Sequence, residues 1–209
     1  MRSGRFITFE GGEGAGKSTQ ARRLAQALER HGHGVVVTRE PGGSPGAEHI
    51  RSLIVSGDTD KWTPLTETLL VFAARADHLE RTIRPALERG KWVICDRFVD
   101  STFAYQGVGQ GMSPDTIAGL RDLVVGEDMP GLTLILDLPV ETGLGRAGKR
   151  DHDEDRFERM GDDFHMKLRQ AFLDIAAADP ERCVVIDATH DEDTVADAIW
   201  QAVSSRLAV

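Results

Sequence analysis

Asparagine is missing altogether from the 209 residues. With it goes the N-K-x-D motif by which GTP-dependent switch proteins read guanine. Cysteine occurs only at Cys95 and Cys183, each inside an apolar, strand-like run; buried reduced thiols are expected and a disulfide framework is not. No apolar run approaches the ~20 residues needed to span a bilayer, and a strand begins almost at the N-terminus, leaving no room for a signal peptide. A cytoplasmic chain without a membrane partner is expected. Net positive charge is lacking too: the formal charge is −9, which argues against bulk binding to nucleic acid. An anionic ligand must then be held by basic residues gathered at one place. What remains is ordinary for a soluble globular chain, 40% hydrophobic and 28% charged. Its length suits one α/β domain with a sizeable core and is short for two.

The most informative stretch is Gly11-Gly12-Glu13-Gly14-Ala15-Gly16-Lys17-Ser18. It fits G-x-x-x-x-G-K-[ST], a loop whose backbone N–H groups cradle the phosphates of a nucleotide. The apolar run Arg5–Glu10 before it reads as a buried strand, and Thr19–Glu29 after it carries Leu24, Ala25 and Leu28 at helical spacing. Strand, glycine loop and helix together seat a phosphate on a helix N-terminus. A merely flexible glycine turn leaves that context unexplained, so ATP or GTP is the expected ligand.

Four further apolar runs, Val35–Thr38, Lys91–Cys95, Leu132–Asp137 and Cys183–Asp187, read as buried strands. Between them lie helical stretches: Ala47–Val55 with Ile50, Leu53 and Ile54 inward, and Pro64–Glu88 with Leu65, Leu69, Phe72, Ala73, Ala76, Leu79, Ile83 and Leu87 on one face. Pro85 is placed to kink the latter. A helix begins at Phe98, and others span Ser113–Val125, a short stretch from Val140, Phe157–Ala178 and Asp191–Leu207. The alternation predicts a five-stranded parallel sheet with helices on both faces. Ligands of such sheets bind beyond the carboxyl ends of the strands, which places Gly11–Ser18, Arg39, Asp96-Arg97 and Asp137 along one rim. His31 and His33 flank a helix end, where His and Gly satisfy dipole and capping needs without a metal.

Within the loop, Lys17 is expected to reach the β- and γ-phosphates and Ser18 to ligate Mg²⁺. Asp96, closing a strand, stands where such folds place the carboxylate of the Mg²⁺ shell; an ordinary strand-end acid is the plainer reading. Arg75 shares a helix face with Phe72 in an apolar patch, where an unpaired guanidinium is costly. A bound phosphate would pair it, and a base would stack on Phe72. Arg146, Lys149, Arg150 and Arg156 cluster late in the chain, either as a solvated charge run or as a lid delivering arginines to a transferring phosphoryl group. Asp151, Asp153 and Asp155 imitate a calcium loop, but Arg156 stands where that loop needs glycine. A phosphate acceptor suits this set. Its second pKa of about 6 leaves it mostly dianionic near neutrality, so positioning and charge neutralisation matter more than a general base.

Four stretches together resemble one family, the thymidylate kinases: Phe9–Thr19, Thr38–Gly43, Phe72–Arg75 and Asp96–Gln106. The resemblance covers essentially the whole chain. It implies a P-loop NTPase fold, one domain over residues 1–209 with a short lid at about 146–156, and transfer of the ATP γ-phosphate to dTMP with Mg²⁺. Carried over residue by residue, Gly11, Gly12, Glu13, Gly14, Ala15, Gly16, Lys17, Ser18 and Thr19 hold ATP. Arg39, Arg75 and Arg97 look like ligands of the dTMP phosphate, Phe72 like the stacking partner of thymine, and Ser101 and Thr102 like residues facing the base. Tyr105 resembles the residue that crowds a 2′-OH. Glu13 stands near the acceptor sugar and the metal, beside Ser18 and Asp96, and Lys17, Arg97, Arg146 and Arg150 are the implied catalytic set. One branch of the family carries a basic residue where this chain has Gly14; here the basic residues lie later, similar to the bacterial branch. The family is homodimeric, which makes Pro64–Glu88 an interface candidate. Another P-loop nucleotide or deoxynucleoside kinase, a nucleotide-dependent switch and a generic ATP-binding module remain as alternatives. A nucleoside acceptor would want a carboxylate base and fewer arginines, and a generic module does not explain Arg39, Arg75 and Arg97 together.

Overall fold

The structure is a computed structural model and describes residues 5–148, 155–207 and 209. Five strands, β1 (Phe6–Glu10), β2 (Val35–Arg39), β3 (Trp92–Asp96), β4 (Leu132–Asp137) and β5 (Cys183–Asp187), form one sheet in the order β2-β3-β1-β4-β5. Every pairing is parallel. Central β1, β3 and β4 are buried along nearly their whole length, as continuous apolar runs require. The outer strands differ from expectation. β2 and β5 lie at the edges, so Val37 and Val185 are exposed although their sequences read as buried. Apolar runs do not distinguish a central from an edge strand.

Alternate residues of each strand feed opposite faces. Ile7, Phe9, Ile94 and Leu134 pack under α1 (Lys17–Arg30) and α9 (Glu192–Arg206). Phe6, Val93 and Cys95 pack on the other face against Phe72, Leu79, Ile83, Phe98 and Ile117. That second layer is built from α2 (Pro45–Ile54), α3 (Pro64–His78), α4 (Arg84–Glu88), α5 (Val99–Thr102), α6 (Pro114–Val124) and α8 (Asp162–Ala178), while α7 (Val140–Ala147) follows β4 with Gly143 set against Gly14. Ser44 caps α2 and Thr63 caps α3, each ahead of a proline in the first turn. Loop, strand order and covering helices are the P-loop NTPase fold.

Three elements depart from the sequence reading. Pro64–Glu88 is helical throughout, but α3 passes through one π-helical stretch, Leu79–Ile83, before α4. Pro85 therefore sits in the first turn of α4, where its missing N–H is tolerated. The buried face of α3 is also not the leucine stripe. It carries Glu67, Thr68, Val71, Phe72, Ala74, Arg75 and His78, while Leu65, Leu69, Ala73 and Ala76 face outward. On α2, Leu53 is likewise exposed. On α3, polar residues with buried partners took the inward positions. Finally, Phe157–Met160 forms a turn, and α8 starts only at Asp162.

Candidate active site

Each predicted rim element ends at one edge of the sheet. The loop after β1 turns through left-handed glycines. Gly14, at φ 67°, lies so close to α7 that a Cβ would meet the Gly143 carbonyl oxygen at 2.0 Å. No side chain fits there, which accounts for the absence of a basic residue at this loop position. Lys17 opens α1 and is buried, its Nζ donating to the carbonyls of Gly11 (3.1 Å) and Gly12 (2.6 Å). Burial, reinforced by Arg97, draws its pKa down to about 8. The Ser18 hydroxyl donates to the Asp96 carboxylate across the β1–β3 boundary. Hydroxyl and carboxylate thus present hard oxygen donors side by side, a set suited to Mg²⁺.

Arg97, just past β3, is the centre of the arrangement. It is a non-glycine residue at φ 68°, in the left-handed region that costs free energy for any side chain with a Cβ. The surroundings impose that conformation. Arg97 N donates to Phe9 O at 2.9 Å, Cys95 Sγ to Arg97 O at 3.0 Å, and Phe98 N to the fully buried Glu10 carboxylate at 2.8 Å. Burial and nearby Asp100 push Glu10 up to about 8. From this turn the guanidinium donates to Gly11 O (2.9 Å), Ser101 Oγ (3.2 Å) and Glu13 Oε1 (2.8 Å), and lies over the Tyr105 ring. Tyr105 Oη donates to the same Glu13 oxygen at 2.6 Å. Although burial opposes it, Arg97 followed by Lys17 and the tyrosine holds Glu13 ionised, with a pKa of about 2.

Arg75 is buried as well, and it is paired within the protein. Its Nε donates to Glu40 Oε2 at 2.7 Å, Nη2 to Thr102 Oγ1 at 3.0 Å, and its plane sits between the rings of Phe72 and Phe98. The remaining nitrogen, Nη1, is buried without a hydrogen-bond partner among the described residues. The other oxygen of Glu40 meets His78 Nδ1 at 2.9 Å, and His78 Nε2 meets Thr38 Oγ1 at 2.7 Å. This network is why α3 turns its polar face inward.

Three cavities follow one another along the rim. One, about 130 Å³, is lined by Glu13, Arg75, Arg97, Ser101, Thr102 and Tyr105, with Ile54, Val55, Val71, Phe98 and Phe157 as its apolar wall. The second, about 280 Å³, holds Glu13 to Ser18 with Arg39, Asp96 and Arg97. The third, about 390 Å³, takes Gly14 to Gly16 and Thr19 on one side and Arg146 and His190 on the other. Glu13 and Arg97 are shared by the first two, Gly14 to Gly16 by the last two. Two predicted residues stand apart from the first cavity. Arg39 pairs with Glu48 of α2 at 3.0 Å and lines the second cavity. Phe72 is buried, one ring face occupied by Arg75. Asp137, also placed on the rim, is held by Arg169 at 2.7 and 2.8 Å. Arg150 lies outside the described residues, and Arg156 is buried rather than solvated.

Sequence reasoning passed over Glu40, His78 and Arg51. Glu40 was within reach of it, because a guanidinium in an apolar patch demands a carboxylate and Glu40 adjoins Arg39. Arg51, which borders both the first and second cavities and donates to Pro41 O at 2.8 Å, carries no such signal.

Comparison with known proteins agrees with this geometry. A family model described as thymidylate kinase matches residues 9–199. A thymidylate kinase of Caulobacter vibrioides is 58% identical over 207 residues, 99% of each chain. One from Bradyrhizobium sp. (strain ORS 278) is 53% identical over 206 residues, covering 98% of this chain and 91% of its own. The crystal structure of thymidylate kinase from Ehrlichia chaffeensis superposes with a TM-score of 0.76 at 36% identity, covering 95% of this chain and 97% of that one. With a family model matched over residues 9–199 and relatives alike along nearly their whole length, the chain belongs to the thymidylate kinase family.

Proposed function

We propose that the chain carries out its family's reaction, moving the γ-phosphate of ATP to dTMP to give dTDP and ADP for dTTP synthesis. The observation that carries this reading is the orphaned Nη1 of Arg75 in the wall of the first cavity, beside Arg97. A buried donor without a partner is costly, and a phosphate dianion supplies the acceptor. The first cavity then receives dTMP, the third the adenosine of ATP, and the second is where their phosphates meet. Arg75, Arg97 and Arg39 neutralise the phosphates. Ser101, Thr102 and Tyr105 face the nucleoside, with Phe72 behind Arg75, and Glu13 joins the two substrates through Arg97 and Tyr105. Ser18 and Asp96, with Glu13 nearby in the second cavity, are the residues that fit Mg²⁺. When bound, the ion neutralises charge developing on the β- and γ-oxygens. Arg146 beside the loop supports reading residues 146–156 as a short lid on a single domain spanning 1–209, with Arg150 its second arginine.

The half-exposed stripe of Leu65, Leu69, Ala73 and Ala76 on α3 supports a homodimer, which sedimentation at twice the protomer mass would verify. No described helix is long and apolar enough to cross a membrane.

A coupled ADP-release assay tests the assignment. With Mg-ATP, dTMP is expected to be preferred over dUMP, UMP, CMP, AMP and GMP; equal or better turnover of AMP or GMP would sink it. Followed upward in pH, the same assay should lose kcat/KM for ATP as Lys17 deprotonates around 8. Its charged form is the one that holds phosphate, so the loss lies on the alkaline side. In kcat the fall should move to higher pH, since bound phosphate retains the proton.

A further inference from the structure

Arg156 is the least expected residue of the interior. It closes a run of charges, yet its side chain is fully buried. Its Nε donates to Asp58 O at 2.8 Å, Nη2 to Thr59 O at 2.8 Å, and Nη1 to Ile54 O at 3.1 Å and to the carboxylate of Glu67. Its backbone N–H reaches Val55 O at 3.3 Å. The last carbonyl of α2 and the loop beyond it are thus satisfied by a residue far later in the chain. Glu67, equally buried on α3, accepts the side-chain amides of Gln106 (2.9 Å) and Gln110 (2.6 Å) through its other oxygen.

Those bonds hold Phe157 and Glu158 in place. Phe157 lies under the Arg156 guanidinium and meets the Tyr105 ring edge-on, centroids 5.4 Å apart. Glu158 borders both the first and second cavities. We propose that Arg156 is a positioning residue for the phosphate acceptor: it fixes Phe157 and Glu158 as one wall of the acceptor cavity and ties that wall to α2 and α3. The proposal rests on the first cavity being the acceptor site. Lysine cannot stand in, because the acceptors diverge around a planar fork of donors.

Turnover of dTMP by the unaltered chain tests the function alone, and its absence would count against that reading. Given that turnover, Arg156→Lys is expected to raise KM for dTMP about tenfold while leaving KM for ATP within about twofold. In a double-mutant cycle, Arg156→Lys with Phe157→Ala should be no worse for dTMP than Phe157→Ala alone, within about twofold, since both act through the same wall. The proposal is overturned by an unchanged dTMP KM, by an equal rise for both substrates, or by effects of the two substitutions that multiply. A lost cooperative thermal transition in Arg156→Lys would overturn it too, making Arg156 a requirement of folding instead.

Discussion

Arg97→Ala is expected to lower turnover by on the order of 10²–10³-fold and to weaken dTMP affinity with it. Few residues here do as many things at once. The guanidinium ties Gly11 of the phosphate loop to Ser101, holds Glu13 ionised and covers Tyr105. Removing it leaves the partly buried Glu13 with Lys17, the tyrosine and His165 to favour its charge, so the Glu13 pKa rises from about 2 towards its ordinary value. The loss should appear in kcat and KM together, because the same group faces both the acceptor and the phosphate junction. Backbone strain offers a rival cause: Arg97 sits at φ 68°, which alanine tolerates poorly. Arg97→Gly separates the two. Glycine adopts that φ freely, so recovery of activity in Arg97→Gly would assign the loss to the backbone, whereas equal inactivity in both variants assigns it to the guanidinium. Normal steady-state kinetics in either variant would remove the proposed role.

The same residues show why some of this molecule is legible in sequence and some is not. Loop, strands and the strand-end pair Asp96-Arg97 announce themselves locally, through glycine spacing, apolar runs and position relative to a strand. Relations over long sequence distances do not. The inward face of α3 reads as a leucine stripe, yet the helix buries Glu67, Arg75 and His78 because Arg156, Glu40 and Thr38 wait for them. Arg156 looks like one more solvated charge because its partners lie near residues 54–67. A buried charge pair is written in two places, and neither half alone distinguishes itself from surface. The turn at Phe157–Met160 is hidden for a related reason: its apolar residue serves the acceptor wall and imitates the start of a helical stripe.

The clearest consequence concerns Arg75. Arg75→Met should destabilise the fold by about 3–5 kcal/mol, a fall in Tm on the order of 10 °C for a chain of this size. The cause is what stays behind. Glu40 is buried and loses the donor at 2.7 Å, leaving a carboxylate with His78 at 2.9 Å as its neighbour. Methionine fills the slot between Phe72 and Phe98 without leaving a large cavity, so lost packing contributes little. The double variant Arg75→Met with Glu40→Gln is then the decisive comparison. A neutral amide no longer needs a cation and still bonds His78, so most of the lost stability should return. Binding should not. The orphaned Nη1 has no acceptor among the described residues, and dTMP affinity should stay low in the double variant however stable it becomes. Thermal melts read the first quantity and dTMP titration the second. If both recover together, Arg75 serves the fold and the phosphate needs another ligand; if stability returns alone, the guanidinium holds two anions, one built into the protein and one brought by the substrate.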